Sequence, residues 1–94
     1  MTKTLEKQVQ ILKILSNKNR LEIIRHIMET SEDLCVNQLS EKLGISQSLA
    51  SHQLAHLSSH KVVVGYRVGQ TICYKSSESE FAQKVFEFVQ FLIK

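Results

Sequence analysis

A run of uncharged polar side chains in the middle of the chain has the chemistry of base recognition. From Ser46 to His60 there is no Lys, Arg, Asp or Glu. Glutamine can pair with adenine through two hydrogen bonds, serine bonds to bases or phosphates, and histidine donates to guanine or phosphate. Such residues also solvate exposed helices, but solvated faces usually carry Lys–Glu pairs. The pattern therefore favours DNA contact by Gln47, Ser48, Ser51, His52 and Gln53.

The distribution of charge supports the same interpretation. The chain has 12 Lys+Arg and 9 Asp+Glu, so its net charge is only +3. No acidic residue lies between Lys42 and Ser77, and this stretch holds His52, His56 and His60. A surface without carboxylates suits a phosphate backbone, although so few charges also cluster by chance.

Length and composition restrict the class of protein. A chain of 94 residues, 43% of them hydrophobic, forms one globular domain, which we assign to residues 1–94. No apolar run approaches the ~18 residues that a membrane span needs. The segment Met1–Lys7 lacks the apolar centre of a signal peptide. We therefore expect a cytoplasmic protein without a membrane partner, in which two cysteines form no disulfide framework.

Helical and strand patterns indicate which elements position the polar run. Asn17, Ser46 and Ser77 are suited to cap helices, and Gly44 is suited to end one in a left-handed conformation. The hairpin turn is predicted at Gly69 and Gln70. The predicted elements are helices at 3–16 and 17–30, a strand at 34–36, helices at 37–43 and 46–59, strands at 61–68 and 71–75, and a helix from 77 onward.

This order of elements defines a fold class. Two short helices joined by a turn that contains glycine are typical of a helix-turn-helix. With the hairpin, the fold is mainly α with a small β-hairpin wing, a winged helix-turn-helix of order α-α-β-α-α-β-β-α. In that fold the second motif helix enters the major groove of double-stranded DNA, and the wing lies along the backbone.

Several motifs resemble those of ArsR/SmtB-type winged-helix repressors. Residues 46–57 are similar to the family's recognition helix, and residues 15–21 to the start of its second helix. Residues 33–39 resemble its Glu-Leu-Cys-Val box, and residues 62–74 resemble its wing. The resemblance covers about residues 11–80 without gaps, with all motifs in the family's order.

The resemblance implies a homodimeric transcriptional repressor that binds an inverted-repeat operator and is released by an inducer, whose identity is unknown. It implies base or phosphate contacts by Gln47, Ser48, Ser51 and His52. It also implies contacts of the wing residues Arg67 and Gln70 with the backbone or minor groove.

The resemblance further implies that the first and last helices pair across a two-fold axis. The sequence agrees, because both helices carry more apolar surface than a monomer of this size covers. Some of the last helix's aromatic residues also belong to the core. The four phenylalanines of this helix are Phe81, Phe86, Phe88 and Phe91, of which Phe86 and Phe91 lie off its main apolar stripe.

The usual metal sites of the family are not reproduced here. One site needs a second cysteine two residues after Cys35, where this chain has Asn37. The other needs Asp and His on the last helix, and residues 78–94 contain no His. We therefore expect no metal and no cofactor.

A thiol switch is one alternative signal. Strand 34–36 should pair with the outgoing strand of the wing, so Cys35 and Cys73 would be neighbours and an oxidised pair would re-aim the wing. The family's two-cysteine sensors use other positions, one of them held here by Arg25. The cysteines are otherwise small buried hydrophobes. A third alternative is a constitutive regulator that senses no ligand.

Two other classes are disfavoured. The sequence has no Gly-rich phosphate loop, paired carboxylates or nucleophile elbow, so we expect no enzyme. His52 and His56 are spaced to chelate a metal, but a third ligand is missing nearby. A protein-binding winged helix would expose aromatic residues rather than small polar ones.

Overall fold

The computed structural model describes residues 2–30 and 32–93, and Met1, Ser31 and Lys94 lie outside this description. Within the described ranges the chain forms five helices and three strands. The elements are α1 (Thr2–Leu15), α2 (Lys18–Thr30), β1 (Leu34–Cys35), α3 (Val36–Leu43), α4 (Gln47–Ser59), β2 (Val63–Val68), β3 (Thr71–Ser76) and α5 (Glu80–Ile93). The predicted order α-α-β-α-α-β-β-α is confirmed.

The three strands form one antiparallel sheet in which β3 lies between β1 and β2. Strands β2 and β3 are joined as a hairpin that pairs Val68 with Thr71, and Gly69 has the positive φ of 61° that the tight turn requires. Strand β1 pairs with β3 so that Cys35 lies opposite Cys73. The predicted wing and its attachment to the helix-turn-helix are therefore confirmed.

Local capping rules explain where the helices of the motif begin and end. The Asn17 carboxamide accepts a hydrogen bond from the Arg20 amide at 3.1 Å at the start of α2. The Ser46 hydroxyl accepts one from the Leu49 amide at 3.0 Å at the start of α4. Gly44 has φ 66° and ends α3 in the left-handed conformation. All three caps were predicted from the sequence.

Two predicted boundaries differ from the observed ones by two residues or more, whereas the others agree to within one residue. The cap of α5 is Ser79, whose hydroxyl accepts from the Ala82 amide at 3.1 Å, rather than Ser77, which is buried. The first wing strand begins at Val63 rather than Lys61. Lys61 has φ 65° and ends α4, with its amide bonded to the Ser58 carbonyl at 3.0 Å.

The core lies between α2, α4, α5 and the base of the wing. Its largest fully buried side chains are Ile14, Ile23, Ile24, Leu39, Leu54, Leu57, Val62, Val63, Val85 and Val89. Three of the four phenylalanines of α5 are partly buried against this core, whereas Phe91 is 74% exposed. Phe86 therefore packs against the core although it lies off the main apolar stripe of the helix, whereas Phe91, which is also off that stripe, is exposed. No described helix is long and apolar enough to cross a membrane.

Candidate DNA-binding surface

Helix α4 is fixed by its buried side chains and by the turn that precedes it. Its buried stripe includes Ala50, Leu54 and Leu57, none of which is exposed to solvent. In the turn before α4, the Ile45 amide donates to the Ser40 carbonyl at 3.1 Å, which closes α3 onto the turn. The side chains at the start of α4 therefore project from a fixed helix.

Four of the predicted contact residues lie together on the outer face of this helix. Gln47, Ser48, Ser51 and His52 are all exposed. With Val36 they line one shallow depression of about 560 Å³. The structure thus brings together polar donors and acceptors at an exposed helix start, which is the arrangement that reads base edges in a major groove.

Gln53 does not belong to this face. Its side chain is only 6% exposed, and its amide oxygen accepts a hydrogen bond from Arg20 Nη1 at 3.1 Å. The expected base contact by Gln53 is therefore not supported by its position. The burial of Gln53 could have been predicted from helical spacing, because Gln53 lies three residues after buried Ala50 and directly before buried Leu54.

The wing presents the remaining two predicted residues. Arg67 lies near the end of β2 opposite Ile72, and Gln70 lies in the hairpin turn, and both are exposed. A guanidinium at this edge can reach a phosphate or a minor groove. These wing residues are distant in sequence from the start of α4, but both regions are exposed and polar in the folded chain.

A contact that the sequence did not indicate ties the wing to the residue that directly precedes β1. The Tyr66 hydroxyl donates a hydrogen bond to the Asp33 carboxylate. This hydrogen bond raises the pKa of Tyr66, with smaller contributions from burial and from the Asp33 charge. The hydroxyl therefore remains a donor at neutral pH, and Asp33 anchors the outer face of the wing.

The histidines of α4 differ in their surroundings. His52 is exposed, whereas His56 is half-buried and its ring lies 4.9 Å from that of His60. Burial lowers the pKa of His56, and the nearby charges of Arg20, His60 and His52 lower it further. His56 is therefore neutral at pH 7. The described residues contain no group of three or more side chains suited to hold a metal ion.

The two cysteines are joined by a disulfide across β1 and β3, with their Cα atoms 3.9 Å apart. Cys35 directly precedes α3, and Cys73 is buried in the wing opposite Tyr66. The disulfide thus links the first helix of the motif to the wing. The expected neighbourhood of the cysteines is confirmed, and their role in redox sensing stays a prediction.

A second exposed surface, which we call the apolar face, lies on α1 and α5. Its large exposed residues are Leu5, Val9, Leu12, Phe91 and Leu92. A groove of about 530 Å³ between the two helices is lined mainly by Ile11, Leu12 and Phe88, with Lys84 and Glu87 at its edge. Exposed apolar patches are typical of interaction sites.

A helix-turn-helix with an exposed polar helix start and an adjacent wing defines a winged-helix DNA-binding domain. Residues 17–60 match the model of the arsR family of bacterial regulatory proteins. The chain is 35% identical over 80 residues to the transcriptional activator HlyU of Vibrio cholerae, covering 85% of this chain and 72% of HlyU.

Two further comparisons agree with this match. A putative arsenical resistance operon repressor, ArsR, of Halobacterium salinarum is 34% identical over 73 residues, which cover 78% of this chain and 57% of that protein. The solved structure of reduced HlyU from Vibrio cholerae superimposes with a TM-score of 0.77 at 34% identity, covering 98% of this chain and 94% of that one. The chain therefore belongs to the arsR family, and it is a DNA-binding transcriptional regulator, as the sequence predicted.

Proposed function

We propose that the chain represses transcription as a homodimer on an inverted-repeat operator in double-stranded DNA. The observation that carries this proposal is the exposed polar start of α4, formed by Gln47, Ser48, Ser51 and His52. These side chains read bases or adjacent phosphates, and Arg67 of the wing contacts the backbone. The related ArsR is named a repressor and HlyU an activator, so the direction of regulation is part of the test.

Electrostatics support the same surface. The acid-free sequence from Lys42 to Ser77 contains both α4 and the wing, including Gln70 at its tip. A net charge of +3 on one chain becomes about +6 in a dimer, which favours association with phosphate. Gln53 is left out of the contacting set because its amide oxygen is already bonded to Arg20.

The apolar face supports the homodimer. Leu5 is 61% exposed, Leu12 is 55% exposed and Phe91 is 74% exposed, so these side chains gain most from cover by a second copy. A two-fold dimer presents two copies of α4, which matches a palindromic site. In this proposal the protein acts by binding rather than by catalysis, in the cytoplasm, and its inducer is unknown.

Binding to the DNA upstream of the protein's own gene tests the proposal. Ser48→Glu places a carboxylate on the proposed DNA face, while Ser59→Glu places one at the exposed opposite end of the same helix. We expect Ser48→Glu to weaken binding by at least about tenfold, because a buried like charge costs well over 1 kcal/mol. Equal affinity of the two variants for the operator would contradict the assigned face. Transcription in vitro from the bound promoter then distinguishes repression from activation.

The disulfide favours redox control as a second candidate. Cys35 and Cys73 join the start of α3, the first helix of the motif, to the wing, so reduction would allow the wing to move relative to the helix-turn-helix. We expect oxidised and reduced wild type to differ in operator affinity, and Cys35→Ser to bind equally under both conditions. If wild type also binds equally under both, redox control is excluded, and control by protein concentration becomes the better account.

A further inference from the structure

We infer that Arg20 is a positioning residue that sets the orientation of α4 relative to α1, and that it thereby sets the half-site spacing the dimer accepts. Its guanidinium donates to three acceptors on two other helices. Nε bonds to the Ile14 carbonyl at 2.9 Å, Nη2 to the Lys13 carbonyl at 3.1 Å, and Nη1 to the Gln53 amide oxygen at 3.1 Å. We call this arrangement the Arg20 clamp.

The first part of the clamp closes the end of α1. The last carbonyls of a helix lack partners within the helix and carry partial negative charge, so a guanidinium placed there stabilises them. Lys13 and Ile14 belong to the last turn of α1, which ends at Leu15. Arg20 therefore fixes the position of α2 against the end of α1.

The second part of the clamp reaches the interior of α4. Gln53 is almost fully buried, and its amide oxygen accepts from Arg20. A buried amide oxygen without a partner would cost free energy, so the bond holds the helix at one rotation about its axis. Gln53 directly follows Ser51 and His52 on the same rigid helix. The lowered pKa of His56 also reflects the proximity of the Arg20 charge to α4.

The geometry of arginine makes this a rigid connection. The planar guanidinium offers donors in fixed directions, which the ammonium group of lysine does not. Arg20 is itself held in place, because its backbone amide donates to Asn17 at the cap of α2. Three helices, α1, α2 and α4, thus meet at the Arg20 side chain.

The functional consequence rests on the proposed homodimer and operator. If α1 lies at the two-fold axis, the distance and rotation between the two copies of α4 follow from the geometry of α1 relative to α4 within each chain. Adding one base pair between half-sites rotates one of them by about 35° relative to the other. A chain with a fixed angle between α1 and α4 rejects that change, whereas a loosened chain tolerates it. Arg20 and Gln53 therefore determine spacing specificity without contacting a base.

The test measures affinity for a set of palindromic operators whose half-sites are moved by one or two base pairs in either direction. Gln53→Leu is the decisive variant, because it removes only the contact with α4 and leaves both α1 bonds in place. Arg20→Gln removes the whole clamp, and Gln53→Glu keeps an acceptor for Arg20. Arg25→Gln is the matched control, because it removes the same charge from an exposed position on the same helix.

We expect wild type, Arg25→Gln and Gln53→Glu to prefer one spacing by about tenfold or more over its neighbours, in the range that one mismatched base pair costs. Gln53→Leu and Arg20→Gln should bind all spacings within about threefold of one another, with an unchanged dependence on salt. Melting temperatures of every variant accompany the binding data, so that loss of folding is separated from loss of specificity.

Two results would overturn the inference, and a third would instead concern the proposed function. A uniform loss of affinity at every spacing in Gln53→Leu would show that the clamp only stabilises the fold. Unchanged spacing preference in Gln53→Leu would show that Gln53 does not position α4. If wild type itself binds no spacing, the proposed operator binding fails, whatever the variants do.

Discussion

Two exposed helical faces of this chain, the start of α4 and the outer side of α1, differ in how well water solvates their side chains. The start of α4 exposes Gln47, Ser51 and His52, which water satisfies as well as a partner does. The outer side of α1 exposes Leu5 and Leu12, which water does not satisfy. The first face is therefore stable when uncovered and ready for a polar partner, whereas the second is stabilised only when another apolar surface covers it.

The two helices also differ in how the fold holds them. Helix α4 is capped by Ser46, buries a complete stripe that includes Leu54 and Leu57, and is bonded through Gln53. Helix α1 is buried mainly at its last turn, at Ile14 and Leu15. A single chain therefore completes the surface that we propose to contact DNA, whereas the surface that we propose for association remains uncovered.

Disrupting the apolar face should have the largest effect. The double variant Leu5→Glu/Leu12→Glu places charges where the two copies would meet, so we expect a monomer in sedimentation equilibrium at micromolar concentration. Operator affinity should fall by about 100-fold or more, because the two half-sites are no longer bound by one linked molecule. The wing variant Val64→Glu changes a comparably exposed apolar residue and should remain dimeric. A double variant that stays dimeric would show that the apolar face is not the dimer interface.

Truncating single side chains on α4 should have the next largest effect. Gln47→Ala or His52→Ala should each weaken operator binding by about 1–3 kcal/mol and relax preference at particular base pairs. Dimerisation should not change, because these residues lie on α4 and do not belong to the apolar face of α1 and α5. Gln83→Ala on the exposed side of α5 is the control, measured by the same fluorescence titrations against a panel of operator substitutions. Equal losses for cognate and scrambled DNA would show that these residues contact only phosphate.

Local rules predicted most of the fold because the signals are local. The cap at Ser46, the left-handed Gly44 and the hairpin turn at Gly69 each depend on neighbours in sequence. The opposition of Cys35 and Cys73 followed from the order of the strands once the fold class was recognised. These elements include the helix start that forms most of the proposed DNA surface.

The errors arose where tertiary contacts decide. Gln53 is polar and adjacent to the proposed contact residues, but a long-range hydrogen bond from Arg20 satisfies its amide oxygen inside the molecule. Ser79 rather than Ser77 caps α5 because its hydroxyl also donates to the Lys61 carbonyl at 2.8 Å, across the end of the wing. Helical spacing indicates that Gln53 is buried, but neither bonding partner, Arg20 for Gln53 or Lys61 for Ser79, is visible in the local sequence.

Removing the wing arginine should weaken binding without changing sequence preference. Arg67→Ala should lower affinity for cognate and unrelated DNA alike, since a phosphate contact carries no base information. The slope of log affinity against log salt should decrease by about one unit, which corresponds to about one fewer displaced counterion. Arg25→Ala removes the same charge from α2 and should leave the slope unchanged. Loss of discrimination between sequences in Arg67→Ala would instead place Arg67 in a groove.

The smallest expected effect is the contribution of His56 in α4 to the pH dependence of stability. Burial, and then the charges of Arg20 and its neighbouring histidines, hold the pKa of His56 below its ordinary value of 6.5 in the folded protein. As pH falls below 6.5, the unfolded chain therefore binds a proton more readily than the folded one, and the free energy of unfolding decreases until the folded pKa is passed. Above 6.5 this contribution is fully present and does not vary.

Chemical denaturation of wild type and His56→Gln at about pH 7.5 and about pH 5.5 measures this contribution, since histidine titrates between these values. We expect the stability of wild type to fall more between the two conditions than that of His56→Gln. An equal fall in both proteins would mean that His56 is no harder to protonate in the folded state. At neutral pH an uncharged His56 therefore avoids placing a second positive charge beside Arg20 on the half-buried side of α4.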